Sequence, residues 1–169
     1  ALAIVEQDFL NDIFRELPES EYDLIHTVDL DTAINGSVGV AYVDAMKRST
    51  SAGEPWRHVK RNHMIELGDG RVDITPEMKQ RVREIEENYL NRRMRHPMFA
   101  ATFKDEPIHV DKVKANKTRV FCAAPMDWSI VVRKYLISMI RVMQRNPLVF
   151  ETAVGVQAQS YQWENFMIT

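Results

Sequence analysis

The sequence predicts an α+β fold that is mostly helical, with a few short strands. Apolar residues recur three and four apart over 4–17, 78–89 and 131–143, the spacing of one helical face. Two pairs of strand-prone runs, 63–67 with 71–74 and 99–104 with 118–123, are each separated by a turn or a polar loop. The 169 residues are 45% apolar and 27% charged, with 6 Gly and 7 Pro. That composition is globular rather than disordered, collagen-like or coiled-coil, and the length predicts one domain with a single core. No apolar run approaches the roughly 20 residues that span a bilayer. The start, ALAIVEQDF, has no basic region and no initiator Met, so no signal peptide is expected and the chain is expected to be a processed or excised piece. One cysteine, Cys122, excludes an internal disulfide framework and fits a reducing compartment.

Each element follows from local pattern. Ile4, Val5, Phe9, Leu10, Ile13, Phe14 and Leu17 form one helical stripe, which Pro18 stops. Residues 24–33 read as extended, followed by a Gly-containing loop at 35–39 and a short helix or turn over 40–47. Residues 48–56 are small and polar, a loop with close backbone approach at Gly53. Gly68-Asp69-Gly70 reads as a hairpin turn. Thr75 then reads as a helix cap with Pro76 at the first helical position, and Met78, Val82, Ile85 and Tyr89 as the buried stripe. Strands over 99–104 and 118–123 bracket a basic loop. Residues 127–145 make the clearest helix, with Val131, Tyr135, Leu136, Ile137, Met139, Ile140 and Met143 on a broad apolar face and Asn146-Pro147 at its end. A short helix around 160–167 closes the chain.

Charge is uneven along the chain. Residues 1–31 carry nine acids against Arg15 alone, a charge of −8, so a total of −2 leaves +6 for the rest. From 112 to 119 stand Lys112, Lys114, Lys117 and Arg119 with no acid among them. On a strand, residues two apart share a face. Lys117 with Arg119, and Lys112 with Lys114, therefore predict a row able to grip a triphosphate or an RNA backbone; a solvated hairpin is the plainer reading. Thr50-Ser51-Ala52-Gly53 before Pro55-Trp56 reads either as an ordinary loop or as a bend past which a nucleic-acid strand runs close to the backbone. Asp29 and Asp31 would share a strand face and could hold a metal, although no His lies in register. The five histidines lack zinc spacing, and Cys122 reads as a buried strand residue. Arg81, Arg83, Arg92, Arg93 and Arg95 read as a solvated helix face, since Glu84, Glu86 and Glu87 intervene.

Taken together, Thr50-Ser51-Ala52-Gly53-x-Pro55-Trp56, Lys104-Asp105-Glu106, Lys112 and Lys117-Thr118-Arg119 followed by Pro125 resemble the viral RNA-dependent RNA polymerases of the picornavirus-like group. The likeness continues through Arg133, Asn146-Pro147, Ala153-Val154-Gly155 and Trp163, in order over about residues 36–166. Glu54 and Pro107 depart from the family pattern. The resemblance implies that residues 1–169 are part of the fingers of a right-hand polymerase, with 1–35 an acidic N-terminal part and 36–169 the template-channel and NTP-entry elements. It implies that Lys104, Lys112, Lys117 and Arg119 face the NTP triphosphate, that Thr50, Ser51, Ala52, Gly53 and Lys114 face single-stranded template RNA, and that Asp105 and Glu106 hold the basic strand through ion pairs. The family's metal-binding aspartates belong to later motifs. Mg²⁺ or Mn²⁺ is therefore expected in the complete polymerase and none on this chain, which alone is expected to be inactive. Partners would be the template, NTPs and the palm and thumb of the same polymerase, in the host cytoplasm at membrane-associated replication complexes. The alternative is a non-catalytic RNA-binding or scaffold module using the same basic strand.

Overall fold

The computed structural model describes residues 2–94, 96–154 and 156–168. Arg95 and Gly155, both named above, lie outside the described residues. In order, the elements are α1 (Leu2–Glu16), α2 (Glu19–Tyr22), α3 (Leu30–Asn35), β1 (Met64–Glu66), β2 (Val72–Ile74), α4 (Pro76–Leu90), β3 (Ala100–Phe103), α5 (Val110–Lys114), β4 (Val120–Ala123), α6 (Met126–Arg145) and α7 (Tyr161–Ile168), with a 3-10 turn at Lys60–His63 before β1. The architecture is the helix-rich α+β one that the sequence predicts. The chain divides into two compact units, Ala1–Ala45 with Lys134–Thr169, and Met46–Arg133.

In the first unit, α1 forms where the apolar stripe predicts it, but that stripe is largely uncovered. Leu2, Ile4, Val5 and Phe14 are all more than half exposed, while Ile13 and, just past the helix, Leu17 join a cluster with Val142 and Phe150. Beside that cluster Glu21 is buried and clamped: Arg145 Nη2 lies 2.7 Å from one carboxylate oxygen, and Asn146 Nδ2 donates to the other at 3.2 Å. These donors hold its carboxyl below the ordinary range against the opposing effect of burial.

Residues 24–33 do not form a strand. Their first half runs along α6, with His26 N donating to Ser138 Oγ at 3.1 Å and Val28 N to Lys134 O at 2.9 Å. The second half is helical, because Asp29 caps α3 by accepting from Thr32 N at 2.6 Å. That removes the shared strand face proposed for Asp29 and Asp31. One carboxylate is a helix cap, and the other accepts from Asn35 Nδ2 at 2.8 Å. The competing local bond from an Asp side chain outweighed the extended pattern. Among the described residues, no three His, Cys, Asp or Glu side chains are grouped to hold a metal ion.

In the second unit, β1 and β2 pair antiparallel with Met64 opposite Ile74 and Glu66 opposite Val72. Leu67 N closes the hairpin onto Arg71 O at 3.0 Å. Val72 and Ile74 point inward and Asp73 outward, the period of two that a half-covered strand requires. Thr75 Oγ1 then accepts from Met78 N at 3.4 Å and Pro76 opens α4. Met78, Val82 and Ile85 are buried as predicted. Tyr89 is instead partly exposed, its hydroxyl accepting from Trp128 Nε1 at 3.0 Å. With Arg81 Nε 3.4 Å from the buried Asp127 carboxylate, this fixes α4 against the start of α6.

Strands β3 and β4 form a second antiparallel ribbon, with Ala100 opposite Ala123 and Phe103 opposite Val120. Unlike β1–β2, whose Val72 and Ile74 are buried, this ribbon leaves Phe103, Val120 and Phe121 exposed, and Cys122 with them, against the expectation of a buried strand cysteine.

Candidate nucleic-acid interface

The small-residue bend is built by a short backbone ladder. Ser51 pairs with Val59 across it, Ala52 N donates to His58 O at 2.9 Å, Lys60 N to Thr50 O at 2.9 Å, and Arg61 N to Arg48 O at 3.0 Å. The four bend residues among the five expected to face template then divide into two pairs. Ala52 is fully buried and its carbonyl accepts from Met126 N at 2.8 Å. Gly53 is buried beside it with φ +72°, and a Cβ there would lie 2.8 Å from Ala124 O and 2.9 Å from Pro125 Cα. No other residue fits that contact without moving backbone. Thr50 and Ser51, by contrast, are exposed. Ala52 and Gly53 set the bend; Thr50 and Ser51 present it.

Lys60, a residue the sequence reading passed over, completes this corner. Its Nζ donates to Thr50 Oγ1 at 2.6 Å, and Thr50 Oγ1 donates in turn to Lys47 O at 3.0 Å. Burial pulls the Lys60 ammonium below the usual lysine range, and the nearby positive charge of Arg133 pulls it further. One cation thus stands on a hydroxyl at the bend, with the charge of a second acting on it. The signal in the sequence was the position of Lys60 across a tight turn from Thr50, which only the pairing of Ser51 with Val59 reveals. Behind the bend, Arg48 Nη2 donates to Gly70 O at 2.6 Å and its Nη1 lies 3.4 Å from Glu66, so Gly68-Asp69-Gly70 is a structural turn held by an arginine.

The basic segment differs from its expected form. Residues 110–114 are the short helix α5, not a strand, so Lys112 and Lys114 lie about 200° apart around its axis and do not share a face. Helix is favoured there because the chain has to turn back between β3 and β4. Lys117 N donates to Lys112 O at 2.8 Å and Asn116 takes φ +52°, which closes α5. The ladder of β3 and β4 reaches one pair further, through Lys104 N to Arg119 O at 2.9 Å. Glu106 then draws two of the expected cations together. Its carboxylate makes a two-toothed ion pair with the Arg119 guanidinium and lies 3.0 Å from Lys104 Nζ. Arg119 chiefly, and Lys104 with it, hold the Glu106 carboxyl down to about 2. The ion-pair role expected of the two acids thus falls to Glu106. Lys112, Lys114 and Lys117 are exposed and make no ion pair among the described residues. All five cations are exposed.

Bend and ribbon meet at one place. β4 runs through Ala124 and Pro125 into α6, and it is on Ala124, Pro125 and Met126 that Gly53 and Ala52 rest. A cavity of about 300 Å³ lies alongside, walled by Pro55, Pro125 and Trp128 with the Arg81–Asp127 pair in its lining.

Comparison with known proteins gives the family. A family model described as viral RNA-dependent RNA polymerase matches residues 6–169. The chain is 29% identical over 163 residues to a replicase polyprotein of Drosophila C virus (strain EB), covering 92% of this chain and 9% of that one. It is 31% identical over 170 residues to the RNA1 polyprotein of Red clover mottle virus, covering 93% and 9%. Among solved structures it is similar to a Sicinivirus 3Dpol RNA-dependent RNA polymerase, with a TM-score of 0.70 and 28% identity, covering 85% of this chain and 30% of that one. The chain therefore spans about a tenth of those polyproteins and under a third of that polymerase. With the family model matching nearly its whole length, the chain belongs to the viral RNA-dependent RNA polymerases, in their picornavirus-like group.

Proposed function

We propose that this chain is a part of the polymerase fingers that guides single-stranded template RNA and binds the triphosphate of the incoming NTP. The observation that carries this reading is the division of labour at the end of the β3–β4 ribbon. Glu106 gathers and orients Arg119 and Lys104, while Lys112, Lys114 and Lys117 make no ion pair with an acid among the described residues. An arginine held by a carboxylate keeps its remaining N–H groups at a fixed angle, suited to phosphate oxygens. Mobile lysines beside it supply attraction without geometry. Lys104, Lys112, Lys117 and Arg119 would face the triphosphate and Lys114 the template.

At the bend, the exposed Thr50 and Ser51 would take the RNA backbone, with Ala52 and Gly53 keeping the chain close to α6 and Lys60 adding its charge beside Thr50. The groove itself would require the remainder of the polymerase, palm and thumb included. Divalent ions for the two-metal chemistry, Mg²⁺ or Mn²⁺, would be held by carboxylates of that remainder, and the 169 residues alone would not incorporate nucleotides. The test is steady-state incorporation by the complete polymerase on a primed template. Arg119→Ala is expected to raise the KM for NTP and slow incorporation, and Thr50→Val with Lys60→Ala to weaken template binding while leaving the KM for NTP within about twofold. Wild-type kinetics in Arg119→Ala would refute the triphosphate role.

A further inference from the structure

The cavity of about 300 Å³ beside the bend lies wholly within the second unit, and most of its wall is apolar: Pro55, Pro97, Pro125 and Trp128, with Ile85 and Met94. Trp128 is fixed in place. Its Nε1 donates to the Tyr89 hydroxyl at 3.0 Å, and its ring meets Phe99 edge-on with centroids 5.5 Å apart. Arg81 supplies an accessible polar group, its side chain 37% exposed. Its Nε lies 3.4 Å from Asp127 and its Nη1 3.2 Å from Glu84, while its Nη2 makes no hydrogen bond among the described residues. The two acids fix the guanidinium plane and leave Nη2 as the donor for a ligand. Asp127 itself is buried and already accepts from Trp128 N at 2.7 Å. Two carboxylates around one guanidinium also disfavour an anion inside.

From this we infer that the cavity holds one unpaired base of single-stranded RNA, with the phosphates of the strand left outside. The lining asks for a ligand with apolar faces, no charge, and acceptors on its edge. A nucleobase meets all three conditions, since bases stack on aromatic side chains and take arginine N–H donors on their edges. The volume, at the small end of ligand sites, has room for a ring system. A strand is the source because bend and cavity share residues. A Cβ on Gly53 would lie 2.9 Å from Pro125 Cα, Pro55 follows two residues on, and both prolines wall the cavity. RNA running past the exposed Thr50 and Ser51 thus has the cavity within reach. Arg92 and Arg93, exposed just before Met94, attract its phosphates there. This inference rests on the template reading and adds to it a grip on a base.

The test uses the complete polymerase and single-stranded RNA in which an abasic site is moved along the strand one position at a time. The expected result is one position where losing the base weakens binding about fivefold or more, with the loss absent in Met94→Asp. Met94 is 77% exposed, so that change leaves the core alone while placing a charge at the cavity. As a second measurement on the wild type, 2-aminopurine at the same position should change its emission on binding, and free GMP or UMP should not reverse the change. A loss equally large in Met94→Asp, an abasic walk with no distinct position, or displacement by the free nucleotides would overturn the base site while leaving template binding intact. Failure of the strand to bind at all would overturn the template reading itself, and the base site with it.

Discussion

Glu106 is the residue on which the proposed interface turns. Its carboxyl sits at about 2 when folded, against 4.5 for an unperturbed glutamate, and the first cause is Arg119. A carboxyl whose folded value is depressed stabilises the fold above its unfolded value, and the contribution is lost as pH falls through the folded one. The ribbon end should therefore keep its order at neutral pH and loosen between about 4.5 and 2. A carbon-detected NMR titration of Glu106 should find its midpoint near 2, and Arg119→Ala should raise it more than Lys104→Ala; equal effects would count against the two-toothed pair. Gly53 makes the second residue-scale prediction. Gly53→Ala places a methyl within 3 Å of the Ala124 and Pro125 backbone at a left-handed φ, so a loss of roughly 1–3 kcal/mol in urea unfolding is expected. The need for glycine there was legible in the sequence, since small residues at a bend imply close approach. Lys60 was not, because its partner Thr50 is reached only through a cross-turn pairing that no periodicity announces.

At the scale of elements, the long helices and both ribbons were readable, each for a physical reason visible in the chain. Thr75-Pro76 marks the start of α4, and the spacing of Met78, Val82 and Ile85 marks its inner face. Met78 is fully buried, and Met78→Ala should cost about 2–4 kcal/mol by chemical denaturation. Tyr89→Phe, which removes only the acceptor for Trp128 Nε1, should cost about 1 kcal/mol. The short elements were misread for one shared reason. Five or six residues carry too little periodicity to outvote a local side-chain bond or a chain reversal, and α3 and α5 are set by those: the Asp29 cap in one, the return between β3 and β4 in the other. The reading of Lys112 and Lys114 as one row failed with α5, since a helix sends them to different sides.

At the scale of the molecule, the apolar surface tells most. Helix α1 carries its predicted stripe, yet Leu2, Ile4, Val5 and Phe14 stay exposed, as do Phe103, Val120 and Phe121 on the ribbon. Exposed apolar surface of this extent marks a face made for contact. The isolated 169 residues should bind a hydrophobic dye and self-associate in light scattering; a monodisperse, dye-silent chain would show those faces to be tolerated in water. Family membership was legible from the order of motifs. What the cations face was not, because the chain covers only 30% of the structurally similar polymerase.

The central claim is that Arg119 and Lys117 meet the triphosphate of the incoming nucleotide. It is tested most directly by single-nucleotide incorporation in the complete polymerase, comparing wild type with Arg119→Ala and Lys117→Ala over a range of NTP concentrations. The account predicts a fall in kcat/KM of about ten- to a hundredfold for Arg119→Ala, a smaller fall for Lys117→Ala, and unchanged affinity for the primed template. Intact kcat/KM in both variants, or a loss confined to template binding, would contradict it.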